Sequence, residues 1–170
     1  MTVAEVFAAA NLSPHGRGPW GDPVGEFSAG IYVIARVNDA TLDCDACAWQ
    51  LVDQLPVTLD LEYERQRWLP NEPVIYIGKT DRTIHKRVGE FYDHKCGDKR
   101  PHAGGQVLLL LQCPLWVYWS PATDPRLSEQ TMIRAFKERV GKEPFANSEC
   151  GRRRQKRITP LTDPLTCRLS

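Results

Sequence analysis

Gly30-Ile31-Tyr32-Val33-Ile34-Ala35-Arg36-Val37 and Val74-Ile75-Tyr76-Ile77-Gly78 are the two stretches on which the fold turns. Each is β-branched and apolar on both alternating faces, the pattern of a strand covered on two sides of its sheet. The segment between them, Asn38 to Pro73, is too long for a hairpin connection of about 2–5 residues and reads as an insertion. Within it Trp49, Leu51, Val52 and Leu55 supply one short amphipathic helix. Beyond the second strand, Asp81 offers a cap for a helix whose inward stripe is Ile84, Val88 and Phe91. Gly104 to Gln112 reads equally as helix or strand, whereas Leu115 to Trp119 (LWVYW) is a strand. Asp124 and Pro125 then make a cap and first-turn pair, and Ile133, Phe136 and Val140 give the following helix a core face up to Gly141. Toward the N-terminus, Thr2 and Glu5 have capping-box spacing and predict a short helix over 3–10. Ser13 to Asp22 (SPHGRGPWGD) is rich in Gly and Pro and reads as an arm with no regular structure.

The whole chain, 170 residues with 42% hydrophobic and 25% charged side chains, has the composition of one ordinary globular domain and excludes disordered, collagen-like and disulfide-scaffold classes. Its longest apolar run, Val107 to Leu111, is far short of the ~20 residues of a membrane-spanning helix, and no basic-then-apolar leader opens the sequence. The expectation is a soluble cytoplasmic protein, not associated with membrane, with its six cysteines reduced. A net charge of +1 hides a segregation. Residues 38 to 72 hold eight acids against two arginines, while Lys79 to Arg100 holds seven bases against four acids and Arg152-Arg153-Arg154-Gln155-Lys156-Arg157 has five bases in six positions. Such clusters suit a polyanionic partner, or equally a solvated helix face and tail.

Two charges fall on stripes that should be apolar. Arg87 lies three residues after Ile84 and four before Phe91, and Glu129 lies four before Ile133 and seven before Phe136. A half-buried charge needs a partner, a metal or a site, so the pair reads either as a structural Arg87–Glu129 ion pair, as snorkelling side chains, or as parts of an active site.

The tyrosines weigh on that choice. With Gly30-Ile31-Tyr32, then Tyr76-Ile77-Gly78, then Arg87 on the next helix, Glu129 on a later one and Asn147 in Pro144-Phe145-Ala146-Asn147, the chain resembles the GIY-YIG nuclease superfamily over about Ala29 to Ser148. The resemblance implies an α+β fold: a small three-stranded antiparallel sheet flanked by helices, with residues 38–73 as an acidic insertion. Residues 1–28 are then an N-terminal helix and arm, 29–148 the catalytic domain and 149–170 a basic tail. It further implies a compact restriction-type or stand-alone DNA endonuclease, in which Tyr32 is the general base, Tyr76 assists, Glu129 ligates one divalent metal, Arg87 neutralises the scissile phosphate and Asn147 closes the site. One carboxylate suits Mg²⁺, with Mn²⁺ substituting.

A tyrosine of ordinary pKa ~10 is a poor base at neutral pH and needs a cation beside it, for which Lys79 is the first candidate. Phe91 stands where some members of the superfamily have a histidine, so His94 or, better, His102 beside Gly104 and Gly105 is left to accept the proton; His15 and His85 look incidental. Lys86 and the tail residues Arg152, Arg153, Arg154, Lys156 and Arg157 are the expected contacts to double-stranded DNA. Cys44 and Cys47 form a C-x2-C pair, but no second close pair completes a zinc site, and small buried thiols are the plainer account. A homodimer or a defence-system partner completes the expected partners. The alternatives are a nuclease subunit active only within a complex, and a binding module of this fold without catalysis.

Overall fold

The computed structural model describes residues 1–36, 61–93, 107–108, 111 and 113–147. The helix expected from Trp49 to Leu55, most of Gly104 to Gln112, and Cys44, Cys47, His94, His102 and Arg152 to Arg157 lie outside these residues.

Four strands form one antiparallel sheet in the order β1-β4-β2-β3: β1 (Gly16–Pro19), β2 (Gly30–Arg36), β3 (Val74–Thr80) and β4 (Leu115–Pro121). Helices α1 (Val3–Ala9), α2 (Leu61–Arg67), α3 (Ile84–Tyr92) and α4 (Pro125–Val140) complete an α+β domain, followed by a 3₁₀ turn at Phe145–Asn147. Among the described residues no helix is long and apolar enough to cross a membrane.

All seven residues of β2 are buried, as a two-sided central strand requires. Tyr32 and Ile34 face one layer, with Ile84, Val88 and Phe91 of α3. Ile31 and Val33 face the other, with Val6 and Phe7 of α1 and Met132 and Phe136 of α4. A β-bulge interrupts the β2–β3 ladder, since Ile34 lies opposite Tyr76 but Ala35 opposite Val74. The extra residue, Ile75, therefore joins Tyr76 on the α3 side, while Val74 packs on the other.

The fourth strand corrects the sequence reading. Gly16–Pro19 lies inside the expected arm, yet it pairs with β4 from Gly16 opposite Trp119 to Pro19 opposite Trp116. Propensity argues against a strand of GRGP, but at a sheet edge the missing side chain is the requirement. A Cβ on Gly16 would meet the Trp119 indole at 2.6 Å, so glycine lets the indole lie against the edge backbone. Pro19 at the strand's end suits an edge too.

The helix signals resolve more simply. The Thr2–Glu5 capping box is present, with the Glu5 amide donating to Thr2 Oγ1 at 3.2 Å and the Thr2 amide donating to Glu5 Oε2 at 2.7 Å. Asp124 caps α4 by accepting from the Leu127 amide at 2.9 Å. The cap of α3 is Thr83 and not Asp81: its Oγ1 accepts from the Lys86 amide, while Asp81 pairs with Lys79. Two further amides of α3 are met from outside the helix, Ile84 N–H donating to Ser28 O and His85 N–H to Glu26 O, which ties α3 to the entry of β2.

Candidate active site

Tyr32 is the centre of the α3-side layer. In register it stands between Gly78 of β3 and Trp119 of β4, and directly opposed residues of antiparallel strands share a face. Its ring lies 6.0 Å from that of Tyr76 and 5.9 Å edge-on from Phe91, and Tyr76 is 5.4 Å from Phe91. Gly78 makes the close approach possible: a Cβ there would lie 2.7 Å from the Tyr32 hydroxyl oxygen and 2.5 Å from Cε1 of Tyr76.

The phenol of Tyr32 is 0% exposed, and among the described residues its oxygen makes no hydrogen bond. Burial pushes its pKa well above the ordinary value of 10, and Tyr76 adds to the rise. Arg87 opposes it, because a guanidinium beside the ring favours the phenolate. Arg87 and Tyr76 are thus the polar neighbours of an oxygen that neither of them engages with good bonding geometry. The resting phenol keeps its proton.

Arg87 reaches this position from the first turn of α3, where its side chain is 22% exposed and its guanidinium carbon lies 5.8 Å from the centroid of Phe91. Glu90, three residues on, accepts from Arg87 Nη1 at 3.3 Å and takes Arg82 end-on through both oxygens at 2.7 Å each. Arg82 foremost, then Arg87, holds the Glu90 carboxyl down to a pKa of about 2. Glu90 and Arg82 escaped the sequence reading, although the i,i+3 spacing of Arg87 and Glu90 is a legible signal.

Lys79 is not the cation beside Tyr32. It lies opposite Ile31, whose side chain belongs to the other layer, and its amine pairs with Asp81 at 2.7 Å. Alternation along β3 decides this, since Gly78 occupies the Tyr32 face and its neighbour must take the opposite one. Lys86 is exposed on α3.

Asn147 reaches the same neighbourhood from the C-terminal side, but its amide is occupied. Oδ1 accepts from the Ile77 amide at 2.8 Å and Nδ2 donates to the Ile77 carbonyl at 2.6 Å. Among the described residues β3 has a strand partner on one side only, so the carboxamide satisfies backbone groups that no described strand meets. The turn carrying it is fixed by buried Phe145, which packs edge-on to Trp68 at 5.1 Å and whose carbonyl accepts from Arg67. Asn147 therefore locks the backbone between Tyr76 and Gly78.

Glu129 sits half-buried near the start of α4. The core residues of that helix, Met132 and Phe136, pack on the layer opposite Tyr32, with Ile133 and Val140 only partly buried beside them. The contacts described thus join Tyr32, Tyr76, Arg87, Gly78 and Asn147, while Glu129 comes from a helix of the other layer. Among the described residues no group of three or more His, Cys, Asp or Glu side chains could hold a metal. His15 and His85 have local roles: His15 Nδ1 lies 2.9 Å from Glu26 Oε2, and His85 Nδ1 lies 2.7 Å from the Val24 carbonyl.

Comparison with protein-family models, with curated proteins and with solved structures finds no match to this chain.

Proposed function

We propose that this chain is a GIY-YIG-type nuclease, a metal-dependent endonuclease that hydrolyses phosphodiester bonds of double-stranded DNA, in a restriction or defence setting. One observation carries the reading: Tyr32 and Tyr76 close on the backbone of Gly78 with Arg87 beside Tyr32, around a buried hydroxyl that makes no well-formed bond to a described group. An unsatisfied buried hydroxyl costs about 1–3 kcal/mol, and phenylalanine would fill the same space without that cost. Packing alone gives no reason to keep it.

Phosphodiester hydrolysis gathers negative charge on the phosphate oxygens, so preorganised positive charge is the first requirement. Arg87 supplies it, oriented by Glu90 and Phe91. Tyr32 is the base of this reading, and Arg87 is the neighbour that favours its phenolate against burial. Half-buried Tyr76, its ring next to that of Tyr32, is the natural route for the departing proton toward solvent. Asn147 keeps the strand that carries Tyr76 and Gly78 in register. Glu129 would hold a Mg²⁺ ion, with Mn²⁺ as substitute. A half-buried single carboxylate suits a hard ion that retains its waters. Because Glu129 stands on α4, whose core residues pack on the layer opposite Tyr32, a bound ion would supply Lewis-acid charge only to a phosphate that reaches the start of that helix.

The deciding experiment is incubation of supercoiled plasmid with the protein and Mg²⁺ or Mn²⁺, with nicked and linear products expected. Glu129→Gln should abolish cleavage and leave DNA binding intact. The rate should climb with pH without levelling below pH ~10, because the Tyr32 phenol is held above its ordinary range. A plateau near neutrality would move the base to another residue, and intact plasmid at every pH with both metals would sink the reading. The complete burial of Tyr32 favours one rival, a DNA-binding module without catalysis. Plasmid that is bound but never cut is its signature.

A further inference from the structure

A surface carboxylate is an unusual neighbour for an arginine assigned to an anion. Glu90 is drawn toward two guanidinium groups at once: both of its oxygens face Arg82 at 2.7 Å, and Oε2 is shared with Arg87 Nη1 at 3.3 Å. The fork-to-fork pair with Arg82 has the short, two-bond geometry of the strongest carboxylate contacts. The contact to Arg87 is the longer, single one.

We infer that Glu90, anchored by Arg82, is a positioning residue that holds the Arg87 guanidinium against Phe91 and toward the Tyr32 phenol. The inference rests on the function proposed for that site, because it says how its arginine is aimed.

The geometry separates anchor from load. Arg82 and Glu90 are eight residues apart on one side of the α3 segment, and their bidentate pair leaves the carboxylate few orientations. Arg87 is then held from two directions, by Oε2 on the outside and by the ring of Phe91, 5.8 Å from its guanidinium carbon, on the inside. Three groups with two positive charges and one negative keep a net positive charge, so the carboxylate orients Arg87 without cancelling the cluster's attraction for an anion. Because Arg82 saturates Glu90 electrostatically, the single 3.3 Å contact to Arg87 is the one that an incoming phosphate can replace. A free arginine has many rotamers, and restricting them before substrate arrives is the gain expected of such a clamp. Acid leaves the clamp formed down to strongly acidic pH, since Glu90 ionises at about 2.

An arginine-resolved NMR measurement of the ¹⁵Nε–¹Hε order parameter of Arg87 tests this in wild type, Glu90→Gln and Arg82→Gln. Neither residue belongs to the buried layers, and if one variant fails to fold the other still reads the clamp. The expected result is a clear fall in Arg87 order in Glu90→Gln, and a smaller fall in Arg82→Gln, whose Glu90 keeps the Arg87 contact without its anchor. Unchanged order in both overturns the inference, as does a rise in either. Plasmid cleavage is the second readout: Glu90→Gln should lose about tenfold in kcat with KM for DNA within about twofold, as misorientation without lost binding predicts. A KM rise with kcat intact would make Glu90 a binding feature and overturn positioning. Should wild type cut nothing while Arg87 order falls in the variants, the clamp stands and the nuclease reading fails.

Discussion

The two faces of one sheet are packed to different rules. On the α1 and α4 side, Val6, Phe7, Ile31, Val33, Ile77, Met132 and Phe136 are apolar and fully buried. On the α3 side, the equally buried Tyr32 brings into the core a hydroxyl that makes no hydrogen bond among the described residues, and the Arg87 guanidinium lies 5.8 Å from the Phe91 ring beside it. The first face is built as a core alone. Among the described residues the second leaves two buried hydroxyls, of Tyr32 and Tyr92, without a hydrogen bond, a concession in stability that an apolar core does not make.

The comparison breaks most visibly through its stable half. Phe136→Ala removes a ring that is wholly buried among Met132, Ile31 and Ile77, and should cost about 3–5 kcal/mol in urea denaturation. A loss below about 1 kcal/mol would mean that this layer is not the structural one. Gly78→Ala is next. Its new methyl would meet the Tyr32 hydroxyl at 2.7 Å in a layer with no room to yield, so destabilisation of about 1–3 kcal/mol is expected, with the near-UV dichroism of the tyrosines altered.

What the sequence made legible follows from the same division. Periodicity reads apolar faces, so β2, β3, β4 and the stripe of α3 were visible in it, and that of α4 in part: Phe136 is buried as expected, but Met132 takes the core position and Ile133 and Val140 are only partly buried. Caps with a side-chain acceptor were visible for α1 and α4, and the cap of α3 was misplaced by two residues because Asp81 and Thr83 are both competent and Asp81 is taken by Lys79. Strand β1 was illegible because its cause lies elsewhere in the chain: Gly16 is a strand residue only because Trp119 lies across it. Helix α2 has no apolar stripe strong enough to announce it, and its Arg67 earns its place through Phe145, 78 residues away. In the site, Tyr32, Tyr76 and Arg87 were named from sequence and do come together, whereas Lys79, the first candidate for the cation beside Tyr32, is turned to the other face by a strand register that the sequence does not show. Asn147 was named as a closing group, but its partner, the backbone of β3, is something only topology supplies.

Tyr32→Phe sharpens the contrast by acting in opposite directions on its two sides. With no described bond to lose, stability should stay level or rise by about 1 kcal/mol, while cleavage falls by about 10²-fold if the phenol is the base. Destabilisation by more than about 1 kcal/mol would reveal a hydrogen bond that the oxygen makes in solution, and would return the residue to the ordinary rules of a core.

The smallest effect belongs to Glu90, and its sign is fixed by the direction of its shift. The carboxyl is held from 4.5 down to about 2, chiefly by Arg82, so its ion pairs stabilise the folded state above the unfolded value and that contribution is lost as pH falls from about 4.5 toward 2. The side chain is 27% exposed beside two solvated arginines, so screening limits the contribution to under about 1 kcal/mol. Urea midpoints of wild type and Glu90→Gln should therefore differ slightly at pH 7 and converge near pH 2. A difference that grows in acid would mean that Glu90 is worth more protonated than ionised, which two guanidinium neighbours do not allow.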